Sequence, residues 1–343
     1  MMPTGRQRSL DGRPAADNDV RDPAPPMIRE PIAGPRAWTR RTIRESDWRI
    51  PLPSSCLDEI ERLARALERD PVPTWLLDPG DYELDACRDL LGEVRRRLDE
   101  GPGVAVVDRL PIERLSGRPK IEAVFWLLAS MVGRPVVQSR DGEILVEVTD
   151  TGVKKRIGVR GFRTNVAQPP HVDNSFNQAP PDHVSLLCLR AAREGGASRF
   201  VSFCSVHNAL LAEHPRLLER LYRPFHQDRQ GDFWPDEPQT VFFPVFELRP
   251  DLRCRYTHFT IPAGYETAGV QMDEVTRAAF DTMTRVVQDP DLCCEFTLRP
   301  GELQFVNNRW CGHGRTAYVD DPERRRLMLR LWHRDSGSRR YRG

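Results

Sequence analysis

Apolar residues in the first third of the chain recur with the spacing of amphipathic helices. One segment that begins near Ser55 places these apolar side chains on a single face: Leu57, Ile60, Leu63, Ala64 and Leu67. A second segment does the same with Leu84, Cys87, Leu90, Leu91, Val94 and Leu98. Ser55 followed by Asp58 is typical of a capping box at a helix start. The pattern therefore predicts two amphipathic helices, and the apolar run at residues 121–132, which Gly133 ends, predicts a third.

From residue 136 onward, short apolar runs alternate with turn residues, as strands do. The predicted strands cover residues 136–138, 144–148, 184–189, 200–203, 241–246, 296–298, 303–306 and 327–332, after an earlier apolar strand at 104–107. Two more helices are predicted among them, near residues 206–221 and 274–287. Helices followed by many short strands favour a mainly β fold with flanking helices, in which the helices pack on a β-sandwich.

The N-terminal stretch differs in composition from the rest. Residues 1–40 are rich in Arg, Asp, Pro and Gly and poor in apolar side chains, so they are expected to form a disordered tail. No composition shift or long linker divides the chain after that. Residues 41–343 are therefore expected to form a single domain.

Charge and cysteine content narrow the functional classes. The 51 basic residues nearly balance the 50 acidic ones, which argues against bulk electrostatic binding to nucleic acid. The 8 cysteines include no C-x-x-C pair, which favours reduced thiols over a disulfide framework. No run approaches the ~20 apolar residues of a membrane span, and no apolar signal segment opens the chain. We expect a cytoplasmic protein that does not enter the membrane.

Candidate metal ligands lie in an H-x-D triplet, His171-Val172-Asp173, with His313 far along the chain. Residues i and i+2 of an extended segment point to the same side, so His171 and Asp173 could bind one ion. Two imidazoles and one carboxylate are the facial triad that holds non-haem Fe(II) and leaves other positions open. By itself, the triplet also fits a surface turn after Pro169 and Pro170.

A pair of arginines follows His313. The segment Arg326-Leu-Met-Leu-Arg330 reads as a strand with both arginines on one face. Arginine pairs bidentately with a carboxylate and stays charged, so these residues indicate an acidic co-substrate beside the metal. The competing interpretations are a surface arginine in a basic run for Arg326, and a buried ion pair with a loop carboxylate for Arg330.

Zinc is the alternative metal. Structural zinc sites favour closed Cys and His sets at short spacings, and the chain has no such set. Catalytic zinc with two histidines and one carboxylate is chemically possible. It leaves the downstream arginine unexplained, so iron is favoured.

These features together resemble the Fe(II)/2-oxoglutarate dioxygenases of the taurine dioxygenase family, including its gamma-butyrobetaine dioxygenase and clavaminate synthase branches. The resemblance spans about residues 103–335. It rests on four stretches: residues 170–176 around the triplet, Glu194-Gly-Gly-Ala-Ser198, residues 300–315 leading into His313, and residues 326–330.

The resemblance implies that the sandwich is a double-stranded β-helix, or jelly roll, and that residues 41–343 are its catalytic domain. It also implies Fe(II) as the metal, 2-oxoglutarate as the co-substrate and O2 as the oxidant. The iron ligands would be His171, Asp173 and His313. Arg326 would contact 2-oxoglutarate, together with Ser198, where the family commonly has Thr.

Substrate contacts follow from the same resemblance. Arg330 matches an arginine that contacts the anionic substrate group in the taurine dioxygenase branch, and Asn174 and Phe176 border the metal loop. The implied substrate is a small anionic or amino-acid-like metabolite of specialised metabolism, hydroxylated at an unactivated C–H bond. Because Asp173 is present, the halogenating variants are disfavoured, whereas desaturation, ring closure and epimerisation stay open.

The alternative from another functional class is a catalytically silent jelly-roll module that binds a metabolite or a partner. The complete set of His171, Asp173, His313 and Arg326 argues against it. Trp126 and Trp332 are predicted to lie in the core. The sequence is compatible with a homo-oligomer as well as with a monomer.

Overall fold

The computed structural model describes residues 25–154 and 158–335. Its helices are α1 Glu45–Trp48, α2 Ser54–Arg69, α3 Asp85–Asp99, α4 Arg118–Ser130, α5 Phe203–Glu213, α6 Pro215–Leu221, α7 Thr260–Ala268 and α8 Glu274–Val287. Its strands are β1 Arg49–Ile50, β2 Val104–Val107, β3 Arg134–Val136, β4 Val146–Val148, β5 Gln168–His171, β6 His183–Arg190, β7 Glu194–Gly195, β8 Ser198–Ser202, β9 Pro224–Asp228, β10 Thr240–Pro244, β11 Phe246–Arg249, β12 Asp251–Cys254, β13 Cys293–Phe296, β14 Leu303–Asn307, β15 Cys311–Arg315, β16 Tyr318–Val319 and β17 Leu327–Arg334.

Two sheets organise the molecule. The large sheet has the strand order β1-β2-β14-β6-β17-β3, and β4 also pairs with β17. The small sheet has the order β13-β8-β15-β5. Distant parts of the chain are neighbours in both sheets, since β17 pairs with β6 and β15 pairs with both β5 and β8. This crossing brings the H-x-D segment and the C-terminal strands together.

The large sheet separates two hydrophobic cores. Side chains of one parity, Ala105, Val107, Phe305, Leu329 and Leu331 among them, pack against helices α2, α3 and α4. The opposite parity, which includes Val104, Val106, Val306 and Met328, faces the small sheet and helices α5 to α8. The alternation follows from the period of two in a strand, so each face carries its own apolar set. The small-sheet side contains the site.

Disorder was predicted for residues 1–40, but residues 25–40, the part that the structure describes, are ordered against the rest of the fold. Residues 25–40 pack on the core: Trp38 is buried and its indole N–H donates to the Pro102 carbonyl at 2.7 Å, and Ile32 hydrogen-bonds Asn208 through its backbone N–H and C=O. A few apolar anchors fix a segment whose mean composition is polar. Residues 1–24 lie outside the described ranges.

Prolines move several predicted boundaries. The expected helix at 206–221 is two helices, α5 and α6, because Pro215 begins a new helix. The strand expected at 241–246 ends at Pro244, and a separate strand starts at Phe246. The predicted capping box is wrong, since Pro53 precedes α2 and no side chain caps that helix.

Two expectations from composition can be compared with the described ranges. None of the helices there is both long and apolar enough to cross a membrane. The cysteines, all of which fall in those ranges, are unpaired.

Candidate active site

The three predicted metal ligands converge between the sheets. His171 ends β5 and His313 lies on β15, directly opposite it in the antiparallel pair, with ring centroids 4.8 Å apart. Asp173 follows β5, and its Oδ1 is 3.4 Å from His171 Nε2 and 3.7 Å from His313 Nε2. All three ligand atoms lie within 4.8 Å of one another. The structure therefore brings the triplet and the distant histidine to one point.

The local sequence explains this close approach. A Cβ atom on Gly314 would lie 2.3 Å from the Gln168 carbonyl oxygen, so only glycine lets β15 approach β5 beside His313. His171 Nδ1 is 3.0 Å from the Pro169 carbonyl oxygen. A carbonyl only accepts, so Nδ1 carries the proton and Nε2 keeps its lone pair for a metal.

Asp173 is held at both its backbone and its carboxylate. Asn308 Oδ1 accepts the Asp173 N–H at 2.8 Å, and Asn308 Nδ2 donates to the Asp173 carbonyl at 3.0 Å. The carboxylate Oδ2 accepts from Trp332 Nε1 at 2.7 Å and from Arg330 Nη1 at 3.2 Å. These contacts leave Oδ1 as the atom that faces the histidines.

Electrostatics set the ligand protonation states. Burial alone would raise the pKa of Asp173, but the positive charge of Arg330, together with the adjacent His171 and His313, holds this pKa well below 3.8. Burial lowers the pKa of His313, although the neighbouring Asp173 carboxylate acts to raise it. An ionised carboxylate and a neutral imidazole are the forms that bind a metal.

The donor set fits Fe(II). Within the described residues, His171, Asp173 and His313 form the one group of His, Cys, Asp or Glu side chains close enough to share an ion. Two nitrogens and one oxygen on one side of an ion leave its other positions open, as non-haem iron requires.

An inner cavity adjoins the triad. It is lined by Ser198, Gln304, His313, Arg326 and Arg330, with other residues from both sheets. Arg326 is 3% exposed, and its Nη1 has no hydrogen-bond partner among the described residues. Burial lowers the pKa of Arg326. A buried, incompletely paired guanidinium is costly unless an anion meets it, so this cavity is suited to a carboxylate.

Two neighbours position Arg326. The Tyr318 ring lies 5.2 Å from the guanidinium carbon. Gly196 has a φ of +70°, and a Cβ there would lie 3.3 Å from Arg326 Nε. Gly196 thus leaves room for the arginine. Ser198 lies in the same cavity, but its hydroxyl donates to Gln304 Oε1 at 2.9 Å.

A second cavity, which we call the outer cavity, also borders His171 and Asp173. Its lining includes Asn174, Phe176, Arg160, Thr257 and Trp332. Asn174 is 6% exposed and has a φ of 57°, and neither of its amide side-chain atoms has a partner in the described part of the chain. Phe176 is buried, with the Arg160 guanidinium 5.7 Å from its ring.

Arg330 borders both cavities. Its Nε donates to Gln138 Oε1 at 2.7 Å, and the guanidinium carbon is 4.7 Å from the Phe162 ring. The ion pair with a loop carboxylate, which the sequence left as an alternative, is present, and that carboxylate belongs to Asp173.

Sequence reasoning missed the polar role of Trp332 and the contact of Gln138 with Arg330. Trp332 is buried, as predicted, yet its N–H reaches Asp173. The available signal was strand parity: Trp332 lies two residues beyond Arg330, on the same face of β17. Gln138, 192 residues away in sequence, offered no such signal.

Comparison with known proteins identifies relatives of this arrangement. Residues 69–332 match the family described as "Taurine catabolism dioxygenase TauD, TfdA family". The chain is 29% identical to FR-33289 synthase of Streptomyces rubellomurinus, over 89% of this chain and 91% of the relative. It is 30% identical to L-asparagine oxygenase of Streptomyces coelicolor, over 68% of this chain and 70% of the relative.

A solved structure shares the fold. Asparagine oxygenase in complex with Fe(II), 2S,3S-3-hydroxyasparagine and succinate superposes with a TM-score of 0.62 and 22% identity, covering 84% of this chain and 94% of that one. This likeness, with the family match, confirms the jelly-roll fold with flanking helices that was expected.

Proposed function

Because the chain belongs to the TauD, TfdA dioxygenase family, we propose that it hydroxylates an unactivated C–H bond of a small anionic or amino-acid-like metabolite. The protein is an Fe(II)- and 2-oxoglutarate-dependent dioxygenase. A silent jelly-roll module would not need a complete triad, so that alternative is disfavoured. In our proposal His171, Asp173 and His313 hold the iron.

The inner cavity provides the main support for this proposal. Its key observation is the Arg326 guanidinium, buried and without a partner at Nη1 among the described residues, in the cavity that also contains His313. We assign to Arg326 the distal carboxylate of 2-oxoglutarate, because a planar fork pairs with a carboxylate in a defined direction. Ser198 lies beside that position and would exchange its bond to Gln304 for one to the co-substrate.

Fe(II) held by the triad would let O2 react with 2-oxoglutarate: one oxygen atom would enter succinate as carbon dioxide is released, and the other would be inserted into the C–H bond of the substrate. The protein side chains bind and orient the reactants. Arg326 fixes one end of the co-substrate, while Asn308 and Trp332 fix Asp173. The buried walls around the triad restrict water, which limits side reactions.

The outer cavity supplies the proposed substrate contacts. Arg330 brings a positive charge next to the metal site, which suits an anionic group on the substrate. The Asn174 amide offers a donor and an acceptor at a buried position, and a polar group left without a partner there is costly. A substrate that presents both an acceptor and a donor to Asn174 is therefore favoured, and Phe176 would pack against its apolar part.

Asparagine, in the name of one relative, carries a carboxylate and an amide. These are the group types that Arg330 and Asn174 would recognise, which supports the amino-acid-like class.

The experiment is a screen for substrate-stimulated succinate release. The protein is reconstituted anaerobically with Fe(II), and amino acids and other small acids are tested with 2-oxoglutarate and O2. Once a substrate is found, the acid is compared with its neutral ester or amide under saturating 2-oxoglutarate. We expect the neutral form to react poorly, and Arg330→Ala to remove that preference. Equal turnover of both forms by the wild-type protein would show that the anion proposal is wrong.

A further inference from the structure

The two carboxylate oxygens of Asp173 have different surroundings. Oδ1 faces His171 and His313 at 3.4 and 3.7 Å. Oδ2 faces the large sheet and accepts hydrogen bonds from Trp332 Nε1 at 2.7 Å and Arg330 Nη1 at 3.2 Å. One oxygen is therefore directed at the metal position, and the other is occupied by donors.

We propose that Trp332 is a positioning residue that keeps Asp173 a one-oxygen ligand of the metal. This inference rests on the proposed ligand set His171, Asp173 and His313. A facial triad works because it leaves positions open for co-substrate and oxygen. If Oδ2 turned to the metal as well, it would occupy one of these positions. A donor that holds Oδ2 away preserves the open position.

Trp332 is better placed for this task than Arg330. Its indole is 1% exposed and packs with Val136 and Val184, so its donor has one direction. An indole N–H only donates, and its bond to Oδ2 is the shorter of the two. Arg330 also contacts Gln138 and is our candidate for the substrate anion. When Arg330 engages a substrate, Trp332 still holds the carboxylate.

The position of Trp332 in the sheet explains how it reaches Asp173. Trp332 pairs with Val136 of β3 and Val184 of β6, so neighbours on both sides fix its backbone. Arg330 and Trp332 share the sheet face that looks toward the small sheet, and the Arg330 guanidinium carbon lies 5.1 Å from the Trp332 ring. The ring thus supports the arginine while its N–H holds the carboxylate.

The informative variant is Trp332→Phe, which retains an aromatic ring and removes the donor. Trp126→Phe is the matched control, because Trp126 is also buried and its N–H donates to the Leu77 carbonyl at 3.1 Å, in the helical layer. Both changes delete one indole N–H bond and part of a ring. Only the first touches the metal site. Trp332→His, which keeps a ring N–H, serves as the conservative variant.

The measurement is titration of the full-length, metal-free protein with Fe(II) under anaerobic conditions and with Co(II), without 2-oxoglutarate or substrate. We expect Trp332→Phe to weaken metal binding by about 10-fold, since partners that orient a metal ligand are worth 10–100-fold in affinity. Trp126→Phe should bind as the wild-type protein does, and Trp332→His should fall between. The visible absorption of the Co(II) form should also change in Trp332→Phe, because the number of ligand atoms changes.

Equal metal affinities and Co(II) spectra for Trp332→Phe and Trp126→Phe would overturn the proposal, as would a His variant no better than the Phe variant. Failure of the wild-type protein to bind metal would overturn the ligand set together with this inference. A failed substrate screen beside normal metal titrations would count against the proposed substrate class alone.

Discussion

At the scale of single residues, Asp173 is held by polar contacts to both its backbone and its carboxylate. Asn308 holds its backbone, Trp332 and Arg330 hold Oδ2, and the two histidines face Oδ1. Each contact restricts the carboxylate to one orientation. When the ligands of a metal site are already held in place, little conformational entropy is lost when the ion binds.

Replacing Asp173 should therefore remove the metal. In Asp173→Ala we expect Fe(II) affinity and turnover to fall by more than about 100-fold, beyond the cost of losing an outer partner of a ligand. Iron content after reconstitution and succinate release measure this. Asp291→Ala changes the same residue type at an exposed ion pair with Arg41 and should leave both unchanged. Full turnover in Asp173→Ala would show that the metal assignment is wrong.

Arg326 should control the requirement for 2-oxoglutarate. Truncating one partner of a buried, hydrogen-bonded charge pair costs about 2–5 kcal/mol, so Arg326→Ala should raise the KM for 2-oxoglutarate by at least about 30-fold. Arg324→Ala removes an exposed arginine of the same basic run and is the control. Steady-state kinetics with varied 2-oxoglutarate measure both variants. An equal KM in the two variants would move the co-substrate site away from Arg326.

At the scale of elements, glycines determine how closely the chain approaches the site. Gly314 lets β15 lie against β5, and Gly196 leaves space beside Arg326. Both follow from the absence of a Cβ atom, and Gly196 in addition has a positive φ, which other residues rarely adopt. Gly196 in the Glu194–Ser198 stretch is thus explained by the arginine that it accommodates, whereas Gly195 is explained by its close approach to the Ala317 carbonyl.

Gly196→Ala should impair 2-oxoglutarate binding and stability together. Its Cβ would lie 3.3 Å from Arg326 Nε and the Tyr318 Cβ, so the arginine must shift. Gly269→Ala is the matched control, because Gly269 has a φ of +66° and open space around it. Both variants should lose about 1 kcal/mol of stability through the left-handed backbone. Only Gly196→Ala should raise the KM for 2-oxoglutarate, and an equal rise in Gly269→Ala would refute the link to Arg326.

The apolar pattern predicted β17, which carries Arg330, but it did not predict β5 and β15, the strands that carry His171 and His313. Period-two alternation placed Arg326 and Arg330 on one face, and both border the inner cavity. The H-x-D triplet and His313 were also recognisable, because their residue types are restricted by metal chemistry. Boundaries were predicted less well where Pro215 and Pro244 interrupt apolar runs.

Contacts between distant segments could not be predicted from local pattern. Gln138 reaches Arg330 across 192 residues of sequence, and Trp332 reaches Asp173 across 159. Residues 25–40 looked too polar to pack, yet Trp38 anchors them, since mean composition does not detect a single buried ring. Such contacts depend on how the two sheets face each other, which no short segment encodes.

At the scale of the whole molecule, neutral histidines are buried within the fold. His207 and His333 are fully buried, and burial lowers their pKa to about 4 and about 3. His333 Nδ1 donates to the Gly133 carbonyl, and its Nε2 lies 2.7 Å from the Ser185 hydroxyl. Burial also lowers the pKa of His183, although the Asp99 carboxylate acts to raise it. In the unfolded chain these histidines bind a proton with the ordinary pKa of about 6.5. In the folded protein they stay neutral at that pH.

This difference predicts loss of stability in mild acid. Between pH 6.5 and about 4, the unfolded chain binds protons at these histidines and the folded protein does not, so the free energy of unfolding falls as the pH falls. Each such histidine contributes up to about 1.4 kcal/mol per pH unit. Buried carboxylates such as Asp182, whose pKa is lowered from 3.8, titrate below this window. Urea unfolding of the metal-free protein at pH 7.5, 6.5, 5.5 and 4.5 measures the slope of the free energy of unfolding against pH.

The variant His207→Gln tests the contribution of a single histidine. It should reduce that slope by about the contribution of one histidine, because the variant has no proton to gain at this position. A free energy of unfolding that is the same at pH 7.5 and 4.5, or a slope unchanged in His207→Gln, would contradict the buried neutral state.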